Sequence, residues 1–400
     1  MTFLDAKLIR DKVSQAGDIL RELDVDLWLT FVRETSMLPD PVLDLILGLD
    51  LTWRSVLLIS KTGHHTVIAG HFDAENIRRL DVYDEVIDYH QSLKEPLVSS
   101  LEKYDPSRIA INFSKHDVSA DGLTLGNYRM LQAYLEGTPY GPRLESAERI
   151  IHALRGRKTE TEVERVRQAI ASTERLFSEV ESFVRPGMSQ RQIASFVHQR
   201  IDDTGLNYAW DKAYNPIVTC GPNSSIGHAI PGDVPLERGH TLHLDLGVRQ
   251  IGYCSDLQRT WYVLAEGEEE APADVRQAFD AVLAALKAGE TALKVGTSGW
   301  QVDAAARRTI VEAGYPEYMH AFGHLLGQSA HDGATVLAPQ WERYAGINEL
   351  PVEPGNIFAL ELHVFVPNRG IVSLEEDVLV TENEVLYLSS PQRSLRFIRG

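Results

Sequence analysis

The chain has 400 residues, of which 44% are hydrophobic and 24% charged, with a formal net charge of −18 and a pI near 5.2. This length predicts two or three domains' worth of buried core. The acidic balance argues against nucleic acid as a main partner, because that binding depends on neutralising phosphates. No apolar run is long enough to span a bilayer, so no membrane association is expected.

Cysteine content and the N-terminal sequence predict the cellular compartment. Cys220 and Cys254 are the two cysteines of the chain, too few for a disulfide framework. Residues 1–7 lack the basic and then apolar pattern of a secretory leader. We therefore expect a protein of the reducing cytoplasm.

The first 140 residues alternate between helical and extended patterns. Apolar residues between positions 4 and 23 recur at three- and four-residue spacing, which predicts a helix. Further helices are predicted at residues 72–80 and 93–104. Extended segments are predicted at residues 24–32, 54–60, 65–69, 82–89 and 108–113. This alternation predicts one α/β domain with a mixed sheet.

The segment 138–143 is the best candidate for a domain boundary, because it holds two prolines and a glycine between periodic segments. We place a first domain at residues 1–145 and a second at 146–400. Strands and glycine turns dominate from residue 213 onward. Helices of the second domain are predicted at residues 146–155, 160–184, 190–204, 271–288 and 298–313.

Two aspartates flank a predicted turn in the second domain. Leucine and polar residues alternate from Thr241 to Gly247, and Gly247 and Gly252 bracket the turn. If the two strands fold back on each other, Asp245 and Asp256 lie close together. Two adjacent carboxylates repel each other, and a divalent cation between them removes the repulsion. The alternative is one structural aspartate beside one that caps the turn.

Three histidines lie within twelve residues: His320, His324 and His331. Gly323 and Gly327 beside them leave room for a close approach of the backbone. A lone histidine is more often a satisfied core residue than a ligand, but three beside glycines favour ligation. Imidazole suits zinc, manganese, cobalt or iron.

Two apolar segments near the C-terminus carry acidic residues. Glu361 lies in the middle of the apolar segment 354–366, where a charge must be paired or bound to a cation. A glutamate on the solvent side of a half-exposed strand is the alternative. Glu375, Glu376 and Asp377 follow one another in a second strand, and alternation alone does not decide whether Glu375 or Glu376 faces a metal.

A weaker motif spans residues 213–228. A predicted strand ends in a glycine turn at Gly221, and the chain then reaches His228. By itself this pattern favours a structural turn.

The candidate ligands follow one another in the sequence as Asp245, Asp256, His324, Glu361 and Glu375. This order resembles the ligand order of the M24 pita-bread metallopeptidases, which include methionine aminopeptidase, aminopeptidase P and prolidase. Asp245-Leu-Gly and Gly252-Tyr-Cys-Ser-Asp256-Leu-Gln-Arg-Thr260 match the family's first two motifs, spacing included. The other matching residues are His228, His320, Gly323, His324, His331, Pro354, Gly355, Glu361 and Glu375.

The motifs cover about residues 150–400, and they imply an α+β pita-bread catalytic domain. Chain length and the α/β pattern extend the resemblance to residues 1–145, as a creatinase-like N-terminal domain with a mixed sheet. The resemblance also implies a homodimer and a proline-containing peptide as the substrate.

The resemblance further implies a centre of two divalent metal ions, Mn²⁺ first, with Co²⁺, Zn²⁺ or Fe²⁺ as alternatives. The implied ligands are Asp245, Asp256, His324, Glu361 and Glu375. The implied reaction is hydrolysis of an Xaa-Pro bond by a hydroxide that bridges the ions, with Glu361 transferring the proton. His228 and His331 would stabilise the tetrahedral intermediate, and His320 would line the substrate pocket.

Three positions depart from the family's pattern. Ser373 stands where proline-specific members carry Arg, Gln258 replaces the usual Thr, and Leu362 replaces the Pro that often follows the fourth ligand. All five implied ligands are present, so we do not expect a metal-free protein. Substrate preference is therefore the property that these departures affect.

Three functions remain open at this point. An Xaa-Pro aminopeptidase or dipeptidase is the main hypothesis. A related amidohydrolase for a small molecule such as creatine or ectoine is the second, although creatinases have lost the ligands that this chain keeps. A catalytically silent peptide-binding relative is the third, although such relatives typically lose ligands and gain charged tails.

Overall fold

The computed structural model describes residues 5–225 and 227–399. The chain divides into two compact units, one reaching to Arg155 and the other starting at Gly156. Each unit has its own hydrophobic core.

The first unit contains a six-stranded sheet with the order β4-β3-β2-β1-β5-β6. Its strands are β1 (Leu27–Val32), β2 (Ser55–Ser60), β3 (Thr66–Gly70), β4 (Glu85–Tyr89), β5 (Ile109–Ile111) and β6 (Leu144–Ser146). The sheet is mixed, because β1, β2 and β3 pair antiparallel whereas the outer pairs are parallel. The helices are α1 (Ala6–Glu22), α2 (Leu43–Ile46), α3 (His71–Leu80), α4 (Lys94–Tyr104) and α5 (Leu125–Leu135).

Strands β1 and β2 are buried at every residue. Their sequences are therefore nearly continuous apolar runs, as expected for strands covered on both faces. The side chain of Asp5 caps the N-terminus of α1 by accepting hydrogen bonds from the backbone N–H groups of Lys7 and Leu8. Helix α5 was not predicted, because Leu131 and Leu135 are its buried residues and they form too short an apolar stripe.

Helix α6 (Glu148–Gly156) lies where the chain passes from one unit to the other. Its side chains Ile150, Ile151 and Leu154 are buried in the core of the first unit. The predicted boundary between residues 145 and 146 lies just before this helix, whereas the division falls near its end. That each unit is an independent domain stays a prediction.

The second unit contains a nine-stranded sheet, in which β14-β13-β15-β16-β12-β9-β8 lie side by side, β17 pairs with β16 and β18 pairs with β12. Strands β7, β10 and β11 form a separate small sheet. The strands are β7 (Asn207–Tyr208), β8 (Ile217–Cys220), β9 (Thr241–Leu246), β10 (Val248–Gln250), β11 (Tyr253–Cys254), β12 (Leu257–Val263), β13 (Gly323–Leu325), β14 (Val336–Leu337), β15 (Ile357–Val366), β16 (Gly370–Val380), β17 (Val385–Tyr387) and β18 (Arg396–Ile398).

The helices of this unit are α7 (Glu160–Phe183), α8 (Gln190–Thr204), α9 (Ala273–Ala292) and α10 (Gly299–Glu312). Reciprocal side-chain caps begin three of them, as at Thr159 with Glu162 in α7. Apolar side chains of α9 and α10, such as Val282 and Val302, pack in one core with Leu360 of β15 and Val372 of β16.

The predicted hairpin around Asp245 and Asp256 is longer than expected. A side chain at Gly247 would lie 2.2 Å from the carbonyl oxygen of Ser255, so the backbone crosses itself closely at this point. The chain leaves the large sheet after β9, forms β10 and β11, and returns as β12. Strands β9 and β12 still pair antiparallel, with Gln258 opposite Asp245, so the two aspartates remain neighbours.

Among the helices of residues 5–225 and 227–399, none combines the length and the apolar character that crossing a membrane requires.

Candidate active site

The register of the large sheet gathers the acidic residues on one face. Glu361 of β15 lies directly opposite Glu375 of β16. Gln258 of β12 is paired with Asp245 on one side and with Glu375 on the other. Paired residues of neighbouring strands project their side chains to the same face, so all four side chains lie together. Asp256 directly precedes β12 and joins them.

His324 of β13 completes the group. Its Nε2 atom lies 3.8 Å from Oδ2 of Asp256, 3.9 Å from Oε1 of Glu361 and 3.8 Å from Oε1 of Glu375. Asp256, His324 and Glu375 each offer a ligand atom within 4.8 Å of the others, and Asp245 contacts Asp256. The structure therefore brings the five predicted ligands to one place.

Burial and crowding raise the pKa values of these acidic side chains. Burial, reinforced by repulsion from neighbouring carboxylates, raises the pKa of Asp245, Asp256 and Glu375 well above the ordinary range. Burial also raises the pKa of Glu361 to about 7, against the lowering effect of a hydrogen bond from Gln258. Without a nearby positive charge, the ionised forms of these acids are strongly disfavoured.

The donor set fits a divalent cation. Oδ1 of Asp245 and Oε2 of Glu375 are buried and have no hydrogen-bond partner among the described residues. No described lysine or arginine lines the cavity into which the acids project. Several carboxylates with one imidazole suit Mn²⁺, Fe²⁺, Co²⁺ or Zn²⁺, and such an ion would remove the repulsion between the acids.

A buried polar network orients Glu361. Gln258 donates a hydrogen bond from Nε2 to Oε2 of Glu361 at 2.7 Å. Oε1 of Gln258 accepts from Nε2 of His243 at 2.9 Å and from the hydroxyl of Ser373. Burial lowers the pKa of His243 to about 4, so its imidazole is neutral. Two of the three departures from the family's pattern, Gln258 and Ser373, are therefore in direct contact.

The structure resolves which acid of β16 faces the site. Glu375 lines the cavity, while Glu376 forms an ion pair with Arg259 at 3.1 Å. Asp377 accepts a hydrogen bond from the backbone N–H of Asp256 at 3.2 Å. Glu376 and Asp377 thus support the site, and Glu375 is the one that can contact a metal.

Two adjoining cavities open at these residues. The metal-side cavity has a volume of about 300 Å³ and is lined by Ala209, Trp210, Tyr214, Ile217, His228, Asp245, Asp256, His324, Ser329, Ala330, His331, Glu361 and Glu375. The histidine-lined cavity has a volume of about 270 Å³ and is lined by Ile217, Thr219, Gly227, His228, His243, Asp245, Gln258, Tyr318, His320, Glu361, His363 and Ile371. The predicted substrate residues His228, His331 and His320 all line one or both.

Close packing holds the loop that carries His331. The ring centroids of His331 and His324 lie 4.2 Å apart at an angle of 79°. A side chain at Gly327 would meet Oδ2 of Asp332 at 2.1 Å, and this carboxylate forms a buried ion pair with Lys158 at 3.0 Å. Gly327 therefore leaves room for the side chain of Asp332, whereas the predicted close approach of the backbone is found at Gly323, where a side chain would lie 2.3 Å from the carbonyl oxygen of Ala359.

Several residues of the site were not predicted. The ring of Tyr214 stacks on His228 with centroids 5.3 Å apart, and Tyr318 packs edge-on against His363 at 5.0 Å. His243 could have been found, because alternation along β9 puts it on the same face as Asp245. Nothing in the local sequence around Tyr214 distinguishes it from a core tyrosine.

Comparisons with known proteins identify the family of this chain. Residues 164–382 match the model of metallopeptidase family M24. An uncharacterized peptidase of Staphylococcus saprophyticus is 30% identical over 328 residues, which are 82% of this chain and 85% of that protein. An Xaa-Pro dipeptidase of Pyrococcus furiosus is 27% identical over 270 residues, covering 67% of this chain and 73% of that protein.

The fold has close structural counterparts as well. The structure of an Xaa-Pro dipeptidase from Bacillus anthracis matches 97% of this chain and 99% of its own with a TM-score of 0.73, at 23% sequence identity. That likeness confirms the predicted fold, an α/β first part followed by a pita-bread catalytic part.

Fold and site together define a metallopeptidase. Because the family model matches more than half of its 400 residues, the chain belongs to metallopeptidase family M24. The predicted family resemblance is thus confirmed. The protein is accordingly a peptidase whose activity involves divalent metal ions and whose substrate is a peptide.

Proposed function

We propose that the protein is a dinuclear-metal-dependent exopeptidase that hydrolyses Xaa-Pro bonds. The observation that carries this proposal is the convergence of five metal-binding side chains on one cavity, Asp245, Asp256, His324, Glu361 and Glu375. The relative from Pyrococcus furiosus, which is named an Xaa-Pro dipeptidase, supports the choice of bond.

Those five side chains would hold two ions, for which we propose Mn²⁺ first and Co²⁺, Zn²⁺ or Fe²⁺ as alternatives. When bound, a pair of such ions supplies Lewis acidity, which polarises a carbonyl group and makes a water molecule more acidic at neutral pH. The unpartnered oxygen atoms of Asp245 and Glu375 support this assignment.

Glu361 is the proposed general base and acid. With one oxygen anchored by Gln258, its Oε1 atom faces the cluster, 3.9 Å from Nε2 of His324. A carboxylate held in this position can take a proton from the attacking water and pass it to the leaving nitrogen.

His228 and His331 are the proposed substrate-contacting residues. Both line the metal-side cavity, where an imidazole N–H can donate to the oxygen of a tetrahedral intermediate. Stacking on Tyr214 orients the ring of His228. His320 lines the second cavity and would contact the substrate away from the scissile bond.

We further propose that the protein works as a cytoplasmic homodimer. Both cysteines are free and buried, and burial raises the pKa of the Cys220 thiol to about 12. Such inert thiols suit a reducing compartment. Dimerisation is inferred from the family resemblance. Light scattering coupled to size-exclusion chromatography tests it, and a mass of one chain would contradict it.

A peptide series with a defined metal tests the function. We expect hydrolysis of Ala-Pro or Ala-Pro-Ala that stops after chelation and returns with Mn²⁺, and much slower hydrolysis of Ala-Ala-Ala. Hydrolysis of creatine that chelators do not affect would instead favour the small-molecule amidohydrolase. Metal binding without hydrolysis of any substrate would favour the silent peptide-binding relative.

A further inference from the structure

Besides Oδ1 of Asp245, which belongs to the cluster of acids, the residues lining the histidine-lined cavity include two buried polar atoms that have no hydrogen-bond partner among the described residues. They are Oγ1 of Thr219 and Nδ1 of His243. Both residues line this cavity, although they are only 2% and 4% exposed. They lie opposite each other on β8 and β9. Buried polar atoms are nearly always hydrogen-bonded, so this pair indicates a position for a ligand group.

The network around Gln258 determines what His243 can offer. The amide of Gln258 must turn Nε2 toward Glu361, because the reverse orientation would set an amide oxygen against a carboxylate oxygen. Oε1 of Gln258 then accepts from His243, so Nε2 of that imidazole carries the hydrogen. The other nitrogen of a neutral imidazole, Nδ1, has a lone pair and no hydrogen. It therefore accepts a hydrogen bond.

We propose that the histidine-lined cavity is a substrate subsite that selects a group carrying an uncharged hydrogen-bond donor, such as a hydroxyl, on a residue next to the scissile bond. The proposal rests on the peptidase function proposed above. Asp245 and Glu361 line both cavities, so the subsite adjoins the reacting bond. The donor group binds Nδ1 of His243, and the hydroxyl of Thr219 pairs with the same group.

The lining also disfavours other chemistries. A hydrocarbon ring would leave Thr219 and His243 unpaired, which a buried site penalises. A carboxylate would meet the lone pair of His243 and the nearby acids Asp245 and Glu361, and no described lysine or arginine lines the cavity to offset it. A neutral donor satisfies both polar atoms without introducing a charge.

Matched peptides test the subsite. The first pair is Ala-Pro-Ala and Ala-(4-hydroxyproline)-Ala, and the second is Ala-Pro-Ala and Ser-Pro-Ala, so that each pair differs by one hydroxyl. We expect kcat/KM to be higher for the hydroxyl-bearing member of at least one pair by about tenfold, the ratio that one neutral hydrogen bond supplies.

Two variants assign that preference to the cavity. Thr219→Val keeps the size of the side chain and does not touch Gln258, and His243→Leu removes the acceptor. Each should reduce the preference to about twofold or less, consistent with loss of one hydrogen bond. The control is Thr241→Val on β9, the strand that carries His243. The buried hydroxyl of Thr241 donates to the carbonyl oxygen of Arg369 at 3.2 Å outside the cavity. This variant should keep the full preference.

Equal kcat/KM values within both pairs would overturn the proposal, as would a preference that survives in both variants. If no peptide is hydrolysed, the proposed peptidase function is wrong, and the same pairs are then compared by isothermal titration calorimetry. Tighter binding of a hydroxyl-bearing peptide by the wild type, lost in Thr219→Val, would still support the subsite. Equal binding within both pairs would overturn it.

Discussion

At the scale of single residues, Glu361 is both buried and held in a fixed orientation. It is a buried acid whose pKa is raised to about 7, and it is held by a hydrogen bond of 2.7 Å from Gln258. The first property describes the metal-free protein, in which burial favours the protonated form of the carboxyl group. The second fixes which of its oxygens is available to exchange a proton.

Replacing Glu361 with glutamine tests its role as a proton carrier. Glu361→Gln keeps the size of the side chain but removes its basicity, so kcat should fall by about 10²-fold to 10⁴-fold. Turnover and metal content are measured on the same sample. The exposed Glu382 provides a control, since Glu382→Gln should leave kcat unchanged. Near-normal turnover of Glu361→Gln with metal bound would contradict the assignment.

A substitution at Gln258 tests whether its hydrogen bond to Glu361 supports metal binding and catalysis. Gln258→Met keeps the volume and removes the donor to Glu361. Because residues that orient ligands tune the metal, we expect metal affinity or kcat/KM to fall by about 10-fold to 100-fold. Calorimetric titration with Mn²⁺ and steady-state kinetics measure the two quantities.

Gln392 offers a matched control for that substitution. It is also buried, and its side-chain amide donates to the carbonyl oxygen of Thr260 at 2.7 Å. Gln392→Met should lower thermal stability and leave metal affinity unchanged. If both variants lose metal affinity equally, Gln258 has no special role in orienting Glu361.

At the scale of structural elements, the site depends on how the loop after β13 is fixed. Lys158 and Asp332 form an ion pair of 3.0 Å with both side chains almost fully buried. Lys158→Met leaves the carboxylate of Asp332 without this partner, which should lower the free energy of unfolding by about 3–5 kcal/mol. Urea denaturation measures the loss.

The double variant Lys158→Met/Asp332→Leu removes both charges and separates the ion pair from the packing around it. It should be more stable than the single variant, because no buried charge is left unpaired. A loss below about 1 kcal/mol in the single variant, the value of an exposed pair, would contradict the account.

Most of the described helices were predictable from the sequence because their signals are local, although α5 was not. The segment 190–204 was predicted as a helix, and α8 spans Gln190–Thr204 with a reciprocal cap at Ser189. The detour between β9 and β12 was not predicted. It depends on the close crossing of Gly247 and Ser255, which no periodicity encodes.

The residues of the site were also predictable in part. Motif spacing indicated the ligands, but alternation alone left Glu375 and Glu376 equivalent. The structure separates them through the pairing of β16 with β15 and β12. The contact between Gln258 and Glu361 joins residues that are 103 positions apart in the sequence. Long-range pairing of this kind leaves no mark in the local pattern.

At the scale of the whole molecule, crowding of acids couples stability to pH. The pKa of Glu361 is raised from 4.5 to about 7 in the folded protein, so the folded state binds its proton more tightly than the unfolded chain does. Stability from this group is therefore full at low pH and is lost as pH rises from 4.5 toward 7. Asp245, Asp256 and Glu375 act in the same direction.

Thermal unfolding of chelator-treated protein tests this coupling. Ionisation of Glu361 alone should lower the free energy of unfolding by roughly 2 to 3 kcal/mol between pH 5 and pH 8, which corresponds to a few degrees of Tm. Glu361→Gln should reduce that difference, and added Mn²⁺ should raise Tm most at pH 8, where the acids are ionised. A chelator-treated protein with the same pH dependence as Glu361→Gln would contradict the account.

The central claim is that the five gathered side chains hold two divalent cations, and metal content measures it directly. After dialysis against buffer containing Mn²⁺ and then a brief wash, plasma mass spectrometry should find two ions per chain in the wild type and at most one in His324→Ala, which loses the imidazole ligand. A content of one ion or fewer per wild-type chain, or an unchanged content in His324→Ala, would contradict the claim.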